Sequence, residues 1–314
     1  MLEISQNVLN PFGYAAVQYL SPFSMAIDQQ GHGHNIESLG DIDFYRGYQI
    51  TLDDGSCFTG GEDVLLYTEK GPIAFKDLKG CEYIYEVGTI YFKIEEQDVP
   101  PYWIGATLHN GDITVDPPEV YVPSREMWSR MTAFNNPQHQ ILYGSQQGTN
   151  MPYEVYTFDS DDIEGKSEAY LDFTNAWTSI DFPSIPLQYQ YSVYIDRLNL
   201  IRGMFDAAGF VNPLTGAAYL SLQDYGLIKT ICFVIRSLGG DYCLRQYNGC
   251  YELEIYLANN ESPFSIGAKG DLWKPTVKVR SKRKVIDICP VTASMREIKV
   301  QSLVLDNFVT LGLV

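Results

Sequence analysis

Two stretches of the chain read alike: Trp103-Ile104-Gly105-Ala106-Thr107-Leu108-His109-Asn110-Gly111 and Ile201-Arg202-Gly203-Met204-Phe205-Asp206-Ala207-Ala208-Gly209. Each has glycine at its third position, an apolar stretch and a closing glycine. Glycine has no Cβ, so a helix that carries it at a contact point lets a second helix come unusually close. The repeat therefore predicts two helices packed through Gly105 and Gly203.

The flanking sequence supplies the other elements. Residues 224–238 form the clearest helix: Leu227, Ile228, Ile231, Ile235 and Leu238 recur at three- and four-residue spacing. Asp224 suits its N-cap and Gly239-Gly240 its stop. Cys243 to Tyr247 and Cys250 to Leu257 then flank Asn248-Gly249, a strong hairpin signal. From residue 46 onward strands dominate. Tyr48 to Leu52 alternates and ends at Asp53-Asp54-Gly55; Cys57-Phe58-Thr59 precedes a Gly60-Gly61 break. Val64 to Tyr67, Ile73 to Phe75, Tyr83 to Tyr85 and Thr89 to Phe92 follow, with a turn at Glu69-Lys70-Gly71-Pro72. Many short strands with glycine-rich turns describe a compact all-β unit. Residues 285–314 again read as strands. Residues 1–45 carry no regular pattern, because Gly13, Pro22 and Gly31-His32-Gly33-His34-Asn35 interrupt it. His32 and His34 fit either two ligands of a metal or a solvated loop. No third ligand is evident, so the loop is the expectation.

Composition narrows the function classes. The chain has 314 residues, 45% hydrophobic and 19% charged, a globular balance long enough for two domains. Thirty-nine acids stand against 22 Lys plus Arg, a formal net charge of −17. Such a surface repels nucleic acid and anionic membrane unless its bases are segregated. Residues 154–181 hold eight acids and one lysine, either a solvated loop or a protein-facing patch. Residues 269–284 reverse the sign with Lys269, Lys274, Lys278, Arg280, Lys282, Arg283 and Lys284. The six cysteines form no C-x-x-C pair and no zinc-site spacing, which fits reduced thiols. Cys243 and Cys250 are the one pair that a hairpin could bring face to face. The N-terminal segment lacks the basic start of a signal peptide, and no apolar run is long enough to span a bilayer.

The paired segments resemble the nine-residue motif of LAGLIDADG homing endonucleases, the second more closely, and the helix and hairpin that follow it fit that family's second half. The flanks resemble inteins, in which such an endonuclease interrupts a splicing (Hint) domain. Residues 48–80 are similar to a splicing block, with Thr59 and Glu62 at its Thr-x-x-His positions. Arg283 to Ile288, Ile298 to Val300 and Asn307 to Val314 are similar to the C-terminal blocks. The resemblance implies an α+β chain. A β-rich Hint-like domain would come from both ends (residues 1–98 plus 270–314, with 1–45 unassigned). The inserted pseudo-symmetric LAGLIDADG-like α/β domain would span residues 99–269, with an acidic insert at 150–185.

The departures from that family bear on activity. The family's metal-holding acid is the eighth motif residue on each helix, and here those positions are Asn110 and Ala208. Asn is a weak neutral ligand and Ala none, so no catalytic or metal site is expected, and Mg²⁺ enters only if a residual nuclease uses Asp112 and Asp206. Asp206 lies two residues before Ala208, about 200° around a helix, so capping or packing is its expected role. Glu62 replaces the splicing histidine, Met1 is not a nucleophile, and the family's terminal His-Asn is absent. The expectation is therefore a catalytically inactive protein repurposed for protein–protein contact in a larger assembly, such as a phage tail, neck or capsid component, in a virion or host cytoplasm. The 23 tyrosines suit such contacts. The alternatives are a DNA-binding protein or residual endonuclease contacting DNA through Lys278, Arg280, Lys282, Arg283 and Lys284, and an accessory subunit of a nucleic-acid machine. DNA association is expected to be weak or absent, with no membrane partner and no cofactor.

Overall fold

The computed structural model describes residues 1–80, 82–95, 100–112, 119–122, 124–132, 138–140, 154–157, 185–247, 249–275 and 282–312. Its elements run β1 (Leu2–Glu3), β2 (Asn7–Asn10), β3 (Gly13–Ala16), β4 (Met25–Ile27), β5 (Gly33–Asn35), β6 (Ser38–Leu52) and β7 (Cys57–Gly61). Next come β8 (Leu65–Thr68), β9 (Gly71–Ala74), β10 (Tyr83–Tyr85), α1 (Pro101–Asn110), β11 (Gly111–Asp112), β12 (Glu119–Val122) and α2 (Arg125–Thr132). They continue with β13 (Gln138–Gln140), β14 (Glu154–Thr157), α3 (Leu187–Gln190), α4 (Tyr194–Ala208), β15 (Phe210–Val211), β16 (Ala218–Leu222) and α5 (Tyr225–Ser237). The last are β17 (Asp241–Tyr247), β18 (Cys250–Tyr256), α6 (Gly267–Gly270), β19 (Lys282–Lys299), β20 (Ser302–Val304) and β21 (Thr310–Gly312). The chain is α+β. It divides into one unit of Met1–Ile94 with Lys278–Val314 and a second of Glu95–Val277, where sequence reading sets the boundaries at 98/99 and 269/270.

In the first unit the strand order is β1-β7-β6-β19-β10-β8-β21-β20, with β9 on β8. Strand β1 also pairs with β19, Leu2 lying opposite both Gly60 and Arg296. The core packs Leu2, Ile50, Leu52, Phe58, Leu66, Phe75, Ile84, Val285, Val309 and Leu311. The two longest strands, β6 and β19, pair from Ser38–Lys299 to Leu52–Val285. Sequence reading starts the strand at residue 46. The earlier half is missed because its residues are mostly exposed on both faces, which removes the alternation that marks a half-buried strand. Strand β7 runs through the expected Gly60-Gly61 break. A Cβ on Gly47 would lie 2.1 Å from the Gly60 carbonyl oxygen, so glycine here permits the pairing of β6 and β7 rather than ending it. The Asp53-Asp54-Gly55 turn is as expected, with Gly55 at φ 83°.

Residues 1–45 are regular, in short hairpins. Strands β2 and β3 pair from Asn7–Ala16 to Asn10–Gly13, and β4 pairs with β5. The histidine segment is part of the second hairpin and not a free loop. His34 Nε2 lies 2.6 Å from Asp28 Oδ2, and the His32 ring stacks on Tyr91 at 4.7 Å. Residues 89–92 form no strand; Ile90 and Phe92 are buried and the Tyr91 N–H donates to the Gly31 carbonyl at 2.9 Å.

The second unit contains two copies of one topology. Strand order is β11-β12-β14-β13 in one sheet and β15-β16-β18-β17 in the other, antiparallel throughout. Each copy runs helix, two strands, helix, two strands, led by α1 and α4. Helix α5 has the expected cap: Asp224 Oδ1 accepts the Leu227 N–H at 2.6 Å. Its Leu227, Ile228, Ile231 and Ile235 join Met204, Phe205, Leu220, Leu253 and Ile255 in the core. The β17–β18 hairpin pairs Tyr247 with Cys250 and Cys243 with Glu254. Cys243 and Cys250 are therefore not opposite each other, and both are free thiols. The acidic insert lies outside the described residues apart from β14 and Ile185, so its two readings stay open.

Candidate functional site

The helix pair α1/α4 is where the repeat meets. A Cβ on Gly105 would stand 2.0 Å from the Leu200 carbonyl oxygen, and one on Gly203 2.0 Å from that of Tyr102. The two backbones touch at these glycines, as the repeat predicts. One turn beyond Gly203, Asp206 is fully buried. Its Oδ2 accepts the Tyr102 hydroxyl at 2.8 Å, across the helix pair. Its Oδ1 accepts the N–H groups of Ser265 at 3.1 Å and Ile266 at 3.3 Å, and the Ser265 hydroxyl also donates to the carboxylate. Burial, followed by the Asp206 charge and the hydrogen bond to it, pushes the Tyr102 phenol far above its ordinary range. Tyr102 therefore stays a donor at any physiological pH. Asp206 is a structural clamp: it ties α1, α4 and residues 265–266 together, and its oxygens face protein donors.

The end of α4 is equally committed. Three carbonyls at a helix C-terminus carry partial negative charge and favour a cation. Here the cation is Lys269, whose Nζ donates to the oxygens of Phe205 at 3.1 Å, Asp206 at 2.8 Å and Gly209 at 2.7 Å. Burial lowers its pKa, while the nearby Asp206 charge works in the opposite sense. Half-buried Ala208 sits between those carbonyls with no donor atom to offer. A divalent ion at this helix end would meet a fixed ammonium, no carboxylate from position 208 and an Asp206 already saturated. These residues do not fit Mg²⁺. Helix α1 ends at Asn110, and Asp112 pairs with Glu119 in backbone register; the side chains of Asn110 and Asp112 lie outside the described set. Among the described residues no group of three or more His, Cys, Asp or Glu is placed to hold a metal.

In the first unit, Thr59 and Glu62 stand in different surroundings. Thr59 is buried within β7, whereas Glu62 lies past the strand end and is exposed. Thr59 instead shares a strand face with Cys57, because side chains two apart in a strand point the same way. Both line a polar cavity of about 270 Å³, with Glu3, Ser5, Gln6, Gln49, Asp306 and Asn307. The Gln6 amide Nε2 donates to the Thr59 carbonyl at 2.7 Å, and Asn7 Nδ2 to Asp306 Oδ2 at 2.9 Å. Met1 lies at the other end of β7, where its carbonyl accepts the Gly61 N–H at 3.0 Å. Cys57 is an exposed thiol.

The basic run breaks up in the structure. Lys269 is the α4 cap. The Lys274 N–H donates to the Gly216 carbonyl at 3.0 Å. Arg283 is only 8% exposed and ion-paired with Asp54 and Glu86, and Lys282 pairs with Glu69. Arg283 and Lys282 are therefore not a free face for phosphates. Lys278 and Arg280 lie outside the described residues; Lys284 is half-buried in β19, opposite Tyr83.

Sequence reasoning missed Tyr102, Ser265, Lys269 and the cavity residues Glu3, Gln6 and Asp306. Only Lys269 gave a signal, and its charge pointed to a surface strip rather than a helix end.

Among solved structures, the chain is similar to the gp41-1 intein at 20% identity, with a TM-score of 0.26, over 27% of this chain and 67% of that one. It is similar to the Msm DnaB1 intein splicing domain bound with zinc at 14% identity and a TM-score of 0.25, over 27% and 68%. It is also similar to the homing endonuclease I-DmoI in complex with DNA and Mn, at 11% identity and a TM-score of 0.33, over 50% and 89%. The chain spans about two thirds of the length of those inteins. No family model and no curated protein sequence matches it.

Proposed function

We propose that this chain is a catalytically silent protein of intein and homing-endonuclease build, retained for contact with other proteins in a larger assembly such as a viral particle. The observation that carries the silent part is the end of α4: Ala208 supplies no ligand and the Lys269 ammonium covers the Phe205, Asp206 and Gly209 carbonyls. Duplex cleavage by this family needs divalent metal to neutralise charge at the scissile phosphate, and a half-buried cation at the motif end opposes it. The net charge of −17 weighs against a grip on DNA as well. The parent protein is expected to leave supercoiled plasmid intact in millimolar Mg²⁺. Any DNA association should vanish by about 0.2 M salt, as binding through few phosphate contacts does. The triple variant Asn110→Asp, Ala208→Asp, Lys269→Ala is the informative comparison. Nicking by that variant alone supports a dead site on an intact scaffold; nicking by the parent overturns the proposal. Proteins that co-purify with the native chain would identify the assembly.

A second reading has one specific observation behind it, the exposed Cys57 thiol in the polar cavity beside the Ser56–Cys57 peptide. Attack of its thiolate on the Ser56 carbonyl carbon would form a thioester as the C–N bond breaks, with the proton going to the freed Cys57 amine. Against it, the Ser56 carbonyl accepts the Leu52 N–H at 2.9 Å inside the β6–β7 turn, which holds the peptide in the sheet. The purified chain is expected to keep one intact mass over days with added thiol. A thiol-dependent fragment ending at Ser56 would establish the second reading and end the silent one for this unit.

A further inference from the structure

The β15-β16-β18-β17 sheet buries one face with Leu220, Leu253 and Ile255, and the alternating side chains of its strands make up the opposite face. Register places Phe210, Tyr219, Glu254 and Cys243 in one row of that outer face and Ser221, Glu252 and Arg245 in the next. Tyr247 stands at its edge, 74% exposed, and Phe210 is 44% exposed and stacked on Tyr219 at 5.4 Å. Glu254 is compensated: it accepts the Tyr256 hydroxyl and faces Arg245 at 3.6 Å. Glu252 is not. This half-buried carboxylate has neither a hydrogen bond nor an ion pair among the described residues, although it sits one strand from Arg245. A carboxylate that forms no ion pair among the described residues, on a sheet face with exposed aromatic rings, is suited to a cation that brings apolar surface with it.

We propose that this face is a docking surface for an extended, Arg- or Lys-bearing segment of another protein, with Glu252 as counter-charge and the exposed rings of Phe210 and Tyr247 as its aromatic contacts. The inference rests on the protein-contact reading above and gives it a place and a chemistry. Strand β17 is an edge strand of its sheet among the described residues, so a partner segment could also continue the ladder there. A DNA backbone would bring phosphates against Glu252 and Glu254, with Arg245 the one cation in these two rows, so nucleic acid is the disfavoured occupant.

The test uses the full chain and a labelled peptide of alternating arginine and glycine, followed by fluorescence anisotropy. A cationic peptide is attracted to any acidic protein, so a charge-matched control is essential. Asp41→Lys changes the net charge identically at an exposed position of β6. Glu252→Lys should weaken binding about tenfold, because it places like charges in contact. Tyr247→Ala should weaken it about threefold through the lost cation–ring contact, and Asp41→Lys by less than about twofold, since it acts only through screened distance. Hydrogen exchange should slow in β17 and β18 when peptide is added. Equal losses in Glu252→Lys and Asp41→Lys, no binding by the parent, or tighter binding of a duplex than of the peptide would overturn the inference. Plasmid nicking would instead overturn the silent reading and leave this measurement standing.

Discussion

Gly203→Ala should destabilise the Glu95–Val277 unit by about 3 kcal/mol, and Gly105→Ala by a similar amount, the upper range for forcing atoms into a packed interface. The new methyl carbon on Gly203 would lie 2.0 Å from the Tyr102 carbonyl oxygen and 3.0 Å from the Ala106 nitrogen. Neither obstacle is a side chain that can rotate away; both are helix backbone. Relief requires α1 and α4 to separate, which strips dispersion contacts from Ile104, Leu108, Leu200, Ile201 and Met204 along the seam. Alanine is the better helix former by nearly 1 kcal/mol in a helix interior, so propensity alone predicts stabilisation. The sign of the measured change therefore decides between propensity and contact. Gly270→Ala is the control in the same unit, because a Cβ there meets nothing within 4 Å. It should stay within about 0.5 kcal/mol of the parent in urea denaturation, as open positions do. The double variant should cost clearly less than the sum, since helices moved apart by the first methyl have room for the second. A Gly203→Ala protein as stable as the parent would mean that the helix pair is not the structural axis of this unit.

Legibility in the sequence follows from where apolar periodicity and glycine placement are unambiguous. The α1/α4 contact is readable because glycine weakens a helix interior, so its recurrence at one motif position in two helices points to a close approach that needs it. Helix α5 and the β17–β18 hairpin are readable because an Asp cap, a glycine stop and Asn-Gly each act locally. The first half of β6 is hidden because it is exposed on both sides, and β1 to β5 because strands of two to four residues carry too little periodicity. At the candidate sites the limit is different. Asp206 is readable as a packing residue, since its helical angle turns it away from Ala208. Its partners are not: Tyr102 lies across a helix pair and Ser265 far along the chain, beyond the β17–β18 hairpin. Charge is the least reliable guide. Lys269, Lys282 and Arg283 read as one basic strip, yet they serve as a helix cap and in three structural ion pairs.

Asp206→Ala should cost about 3–5 kcal/mol, the range for removing one partner from a buried charged network. Four donors converge on this carboxylate: the Tyr102 and Ser265 hydroxyls and the N–H groups of Ser265 and Ile266. Alanine would leave them in an interior where each lost hydrogen bond costs about 1–3 kcal/mol, softened where the chain can relax. Tyr102→Phe should cost less, about 1–2 kcal/mol, because it removes a donor and leaves the carboxylate with its remaining partners. The two changes remove opposite ends of one bond, so Asp206→Ala in a Tyr102→Phe background should cost less than it does alone. The same measurement separates a structural acid from a metal ligand. Carboxylates held together for a divalent ion repel one another when the ion is absent. Taking one away in the presence of a chelator would then stabilise the protein or leave it unchanged. Asp206 has protein donors on both oxygens and the Lys269 ammonium nearby, so its loss should be as damaging with chelator as with Mg²⁺. A chelated Asp206→Ala protein at least as stable as its parent would reassign this residue to metal binding, and with it reopen the endonuclease reading.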